Sequence, residues 1–138
     1  MLLESLSISD ADPLSVPIVK EGDLYRWDWS FLVSMMLSTG LSPSEKSSIF
    51  HASLALAMLE MARTLARTFG IVQVGFAGGV FQNARLSSEA QALLRLEGFD
   101  VLIPSVFPMN DAAISLGQLV EASAVLRAKM SGSTVSVP

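Results

Sequence analysis

Residues 71–104, IVQVGFAGGVFQNARLSSEAQALLRLEGFDVLIP, read in order as strand, glycine turn, helix and strand. IVQVGF (71–76) is rich in branched residues and apolar on both parities except at Gln73, as a central parallel strand covered on both faces would be. Ala77-Gly78-Gly79 turns the chain. Val80 to Glu97 then has a helical repeat, with Leu86, Ala90, Leu93 and Leu94 facing inward, and Gly98 ends it. FDVLI (99–103) is the second strand, closed by Pro104. Two strands joined through a helix predict a parallel pair with a right-handed crossover.

Outward from this unit, the loop SVFPMND leads into a helix from Asp111 to Lys129, with Ile114, Leu116, Leu119, Val120 and Ala124 available for packing. Upstream, Ser42-Pro43-Ser44-Glu45 is a capping box with proline at the first helical position, where its missing N–H costs nothing. Phe50, Leu54, Ala57, Met58, Met61 and Leu65 follow at helical spacing and predict one buried stripe, with Gly70 as the left-handed stop. Such a helix is long for the domain, roughly 40 Å at ~1.5 Å per residue. Glu21-Gly22-Asp23, between IVK and LYRWDW, suggests a hairpin over 18–29. A helix follows, capped by Asp28 or Ser30 and stopped by Gly40. Residues 1–17 read as a flexible lead or frayed helix end, 18–128 as one lobe, and 129–138 as a disordered tail. The fold class is α/β: a parallel βαβα core preceded by a short hairpin and a long helix.

Composition limits the chemistry. The 138 residues are 51% hydrophobic and 16% charged, which excludes a disordered or highly solvated chain. A formal charge of −4 argues against a nucleic-acid partner. Without cysteine there is no disulfide framework and no thiolate nucleophile or metal ligand, and a single histidine cannot make a metal-binding pair. MLLESLSISD lacks the basic start and apolar run of a signal peptide, and no stretch has the ~18 uninterrupted apolar residues of a membrane span. The chain reads as soluble and cytoplasmic, without a membrane partner.

Two places could carry function. Gly78-Gly79 stand at the carboxyl end of a strand and open a helix, where ligands of open α/β sheets bind and where free N–H groups favour anions. Asn83 adds an amide that donates and accepts. The plainer reading is a tight connection needing positive φ. Asn110-Asp111 stand at the start of the next helix, where Asp111 is either an N-cap or a carboxylate ligand for a cation. Adjacent parallel strands would bring both turns to one sheet edge. Gly117 permits close approach of a helix or ligand. His51, beside Phe50, reads more simply as a hydrogen-bonded packing residue than as a base or ligand. No Walker loop, dinucleotide fingerprint or Gly-x-Ser-x-Gly elbow is present.

Gly78-Gly79-Val80-Phe81-Gln82-Asn83, then Leu86, Pro108-Met109-Asn110-Asp111 and Ile114-Ser115-Leu116-Gly117-Gln118, closely resemble the C-terminal part of the NiFe-hydrogenase maturation carbamoyltransferases, the HypF family. Phe50-His51 and Asp28-Trp29 are similar to that family too, and the likeness runs over roughly residues 20–125. The resemblance implies a Kae1-like member of the actin-like ATPase superfamily, in which two ribonuclease-H-like lobes clamp a nucleotide. It implies conversion of carbamoyl phosphate to an enzyme-bound carbamoyl-adenylate, then transfer of the carbamoyl group to a partner's C-terminal cysteine. Carried over residue by residue, Gly78, Gly79, Asn83 and Asn110 would contact ATP. Asp111 would bind a divalent metal (Zn, Fe or Mg). The family's metal-binding histidine pair, first phosphate loop, acylphosphatase-like module and zinc fingers have no counterpart here, and Ala112-Ala113 stand where many members have two glycines. The expectation is therefore half a clamp, inactive alone and not binding ATP or metal by itself. Its partner would be the missing N-terminal half or a hydrogenase maturation protein, with self-association covering any exposed apolar face. The alternative is a non-catalytic interaction module derived from the same family. A tRNA-modifying relative is disfavoured by Phe81-Gln82 and the acidic balance.

Overall fold

The computed structural model describes residues 2–7 and 11–130. In chain order the elements are α1 (Leu2–Ser5), β1 (Ile18–Glu21), β2 (Leu24–Trp27), α2 (Ser30–Leu37), α3 (Pro43–Phe69), β3 (Gln73–Gly75), α4 (Ala84–Leu96), β4 (Asp100–Leu102) and α5 (Ile114–Met130). Short 3₁₀ turns at Gly79–Gln82 and Asp111–Ala113 precede α4 and α5.

The long helix forms as its ends dictate. Ser42 Oγ accepts from the Glu45 amide while the Glu45 carboxylate accepts from the Ser42 amide, which satisfies two orphan donors reciprocally. Gly70 stops the helix at φ 69°, ψ 23°, its amide donating to the Ala66 carbonyl. The buried face differs from the expected stripe. Ser47, Ser48, His51, Ser53, Ala55, Ala57, Leu59 and Ala62 are the buried positions; of the six residues expected, only Ala57 is fully covered. The cause is that α3 packs on two flanks at once. Ala55, Leu59 and Ala62 meet Phe76 and the α4 residues Leu86, Ala90 and Leu94. Ala57 meets Val16 and Leu32 on the other flank. Small side chains let both neighbours approach, so the larger Phe50, Leu54 and Met58 are only half-buried between them. By length and apolar composition α3 would pass for a membrane span, yet in this fold it is the central core helix.

Where it is described, the lead packs against α3. Val16 is buried, the Leu14 amide donates to Ser53 Oγ at 2.8 Å, and Ser47 Oγ and Ser44 Oγ donate to the Leu3 and Leu6 carbonyls. Buried serines need partners: Ser47 and Ser53 each find one in the N-terminal segment, and Ser53 Oγ also donates to the Ile49 carbonyl one turn back in α3. The hairpin is present with Ile18 opposite Trp27, and Trp27 Nε1 donates to the Ala57 carbonyl. Asp28 Oδ1 accepts from the Ser30 amide, but the residue before α2 is Trp29, which supplies no side-chain cap, and the helix ends at Leu37, before Gly40.

β3 and β4 pair in parallel, Val74 opposite Val101, through the α4 crossover. They form a two-stranded sheet, shorter than the expected 71–76 and 99–103. Val74 and Phe76 turn towards α3 and α4, whereas Val72 is 68% exposed and Gln73, Gly75 and Leu102 face outward. Only one face is covered among the described residues, so β3 is not a strand buried on both sides. The expected packing of α5 is also unmet: none of its residues is buried, and Ile114, Leu119, Val120 and Leu126 are each more than half exposed. Of the tail expected to be disordered, Lys129 and Met130 close α5, and 131–138 lie outside the described residues.

Candidate functional site

The parallel pairing brings the two turns together. The Gly78 amide donates to the Met109 carbonyl at 2.6 Å, and a Cβ built on Gly79 would stand 3.9 Å from Asn110 Cβ. Gly78, Gly79, Asn110 and Asp111 therefore share one rim at the carboxyl ends of β3 and β4. Beside it lies a groove of about 640 Å³, lined by Gly78, Asn110 and Asp111 together with Phe107, Ile114 and Gly117.

The two glycines differ in kind. Gly78 adopts φ 106°, ψ 157°, a region essentially closed to side-chain-bearing residues, although no atom lies within 4 Å of where its Cβ would be. Backbone conformation alone demands glycine there. Gly79 has no positive φ, and its Cβ would meet only an ordinary van der Waals contact, so the folded chain itself does not require glycine. The reading as a tight turn thus holds for Gly78, and nothing in the described fold reserves Gly79 for glycine.

The helix after them opens at Ala84 rather than Val80, and its first turn is already occupied. Asn83 is the N-cap, its Oδ1 accepting from the Leu86 amide at 3.0 Å. The Glu4 carboxylate, from α1, accepts from the Ala84 amide at 2.7 Å and the Arg85 amide at 3.3 Å. These bonds, the Arg85 one foremost, hold the Glu4 carboxyl below the usual carboxylate range. The positive end of α4, expected to favour an anion, is neutralised from within the chain. Asn83 is engaged from behind as well: its Nδ2 lies 2.8 Å from Nε2 of His51. His51 is the buried packing residue its setting suggested, 2% exposed, with Nδ1 2.8 Å from the Ser47 carbonyl.

At the second turn Asn110, not Asp111, is the cap: its Oδ1 accepts from the Ala112 amide at 3.1 Å. Asp111 sits one residue inside the 3₁₀ turn, where its side chain cannot reach back to cap. Its carboxylate is exposed on the groove rim and bonds to no described residue. As a metal ligand it is a single hard oxygen donor. Among the described residues no group of three or more His, Cys, Asp or Glu comes together to hold an ion, so a metal at Asp111 would need further ligands from beyond the described residues. Ala112 and Ala113 carry no backbone strain and leave the cap intact.

Sequence reading missed Glu4 as the cap of α4 and His51 as the partner of Asn83. Nothing local marks either pairing.

The family described as "Carbamoyltransferase, Kae1-like Domain, second subdomain" matches residues 1–118. This chain belongs to that family. The carbamoyltransferase HypF homolog of Cupriavidus necator is 36% identical over 72 residues, 52% of this chain and 18% of that protein. Carbamoyltransferase HypF of Rhodobacter capsulatus is 35% identical over 91 residues, 66% of this chain and 12% of the relative. Among solved structures, full-length HypF in a phosphate- and nucleotide-bound form superimposes with a TM-score of 0.81 at 34% identity, covering 90% of this chain and 17% of that one. The chain thus spans less than a fifth of the length of these carbamoyltransferases. The match from residue 1 agrees with the packing of the N-terminal segment against α3 and α4.

Proposed function

We propose that this chain is the C-terminal lobe of a hydrogenase-maturation-type carbamoyltransferase, a ribonuclease-H-like half of an actin-like ATPase clamp working in the cytoplasm. It contributes one wall of the ATP site in which a carbamoyl-adenylate forms before transfer to a partner's cysteine. The observation that carries this reading is the shared rim: Gly78 bonded to Met109, Gly79 beside Asn110, and the unengaged Asp111 carboxylate next to them. Gly79 and Asn110 would lie against the nucleotide. Gly78 shapes the turn by its φ, and Asn83 acts from behind by holding α4. Asp111 would supply one ligand to a divalent metal, which when bound offsets phosphate charge. The remaining ligands and the opposing wall would come from an N-terminal half of the enzyme, and these residues alone are catalytically silent.

Isothermal titration of the isolated chain with ATP and Mg²⁺ or Zn²⁺ is expected to show no micromolar binding. Co-purified with the upstream half, the complex should cleave ATP in a carbamoyl-phosphate-dependent manner and lose that activity in Asp111→Ala. Tight ATP binding by the chain alone, or cleavage indifferent to Asp111, would overturn the reading. A second reading, a non-catalytic interaction module, is favoured by one observation: the amides opening α4 are bound by Glu4 and Asn83, leaving none for a phosphate. Hydrogenase maturation restored by the Asp111→Ala chain as well as by the natural one would select it.

A further inference from the structure

His51 is the chain's single histidine, lies 2% exposed on α3, and touches the glycine turn's own helix cap. Its contacts leave one arrangement of protons, because Ser47 Oγ, 3.5 Å from Nδ1, gives its own proton to the Leu3 carbonyl and can only accept from the ring. A carbonyl only accepts, so the contact of Nδ1 with the Ser47 carbonyl at 2.8 Å places the ring proton on Nδ1. In the neutral ring Nε2 is then an acceptor, and Asn83 Nδ2 donates to it at 2.8 Å. With Nδ2 committed, Asn83 Oδ1 points to the Leu86 amide at 3.0 Å. Reversing the amide would oppose lone pair to lone pair at His51 and N–H to N–H at Leu86 together. Asn83 in turn closes the 3₁₀ turn, its amide donating to the Val80 carbonyl at 3.1 Å, and Gly78 at the other end donates to Met109.

We propose that His51, as the neutral Nδ1–H tautomer, is a positioning residue that orients Asn83 and thereby fixes the Gly78–Gln82 turn against the 108–111 loop. Its role in catalysis rests on the lobe reading above; its role in geometry does not. Packing alone, through the edge-on contact with Phe50 at 6.0 Å, would not select a tautomer.

Because there is one histidine, long-range proton–nitrogen correlation of the isolated chain reports this ring without assignment by mutation. The expected result is a pyrrole-type Nδ1 and a pyridine-type Nε2. A ring protonated at Nε2 instead would overturn the proposal, and that measurement needs no variant to fold. His51→Gln offers an amide donor and acceptor in place of the ring's pair. It should keep the Gly78 and Gly79 amide resonances near their natural positions, whereas His51→Phe, which fills the space without an acceptor, should displace them. Equal displacement by both variants, or none by His51→Phe, would reduce His51 to filler. None of these readouts involves nucleotide, so failure here leaves the clamp reading standing, and failure of ATP cleavage in the assembled halves leaves this one standing.

Discussion

Gly78 and Gly79 answer to different constraints, and substitution separates them. Gly78→Ala forces a side chain into φ 106° and should cost about 1–3 kcal/mol in urea unfolding. Gly79→Ala meets only Asn110 Cβ at 3.9 Å and should leave stability within about 0.5 kcal/mol of the parent, while weakening ATP cleavage by the assembled halves. A Gly79→Ala chain as unstable as Gly78→Ala would mean that the fold, not a ligand, reserves both positions. Asp111 belongs to the same scale. Its side chain bonds to no described residue, so Asp111→Asn should also unfold within about 0.5 kcal/mol of the natural chain.

Helix ends are where this chain concentrates its local stabilisation, and the caps are unequal. Ser42→Ala removes an exposed capping box on α3 and should cost about 0.5–2 kcal/mol. Asn83→Ala removes the cap of α4 and also strands the buried Nε2 of His51, which adds about 1–3 kcal/mol. Chemical denaturation of the two variants side by side tests that order. The carboxylates at these ends also set the acid response. Glu4 is held below the ordinary value of 4.5 by the Arg85 and Ala84 amides, Glu45 by the hydroxyl and amide of Ser42, and Glu97 by the Arg63 guanidinium. A depressed carboxyl stabilises the fold above its unfolded value, and that contribution is lost as pH falls through the folded value. The contribution of these three carboxylates is therefore full at neutral pH and is lost as pH falls below about 4.5. In thermal melts Glu4→Gln should start lower at neutral pH and decline less on acidification, since glutamine does not titrate.

Across the whole molecule, protection follows the two flanks of α3. α3 and α4 contribute most of the buried side chains, whereas α5 contributes none. Hydrogen exchange of the isolated chain should find the slowest amides in α3 and α4 and rapid exchange along α5. Docking of the upstream half should slow α5, whose Ile114, Leu119 and Leu126 are exposed in the chain alone. Unchanged exchange in α5 within an active complex would place the partner elsewhere.

The hairpin, the ends of α3, the α4 face of Leu86, Ala90 and Leu94, and the parallel order were all present in the sequence. Each depends on residues a few positions apart: a capping box, a glycine stop, a repeat of 3.6. The rim was foreseeable from them, because parallel strands put their following turns on one edge. The face of α3 that is buried was not, since a helix packed on two sides hides small residues between its neighbours and no single stripe marks them. Nor was the work of Glu4, His51 and Asn83. Glu4 caps α4 from 80 residues away and His51 meets Asn83 from 32, and only the packing of α1 and α4 against α3 brings those atoms within hydrogen-bond reach.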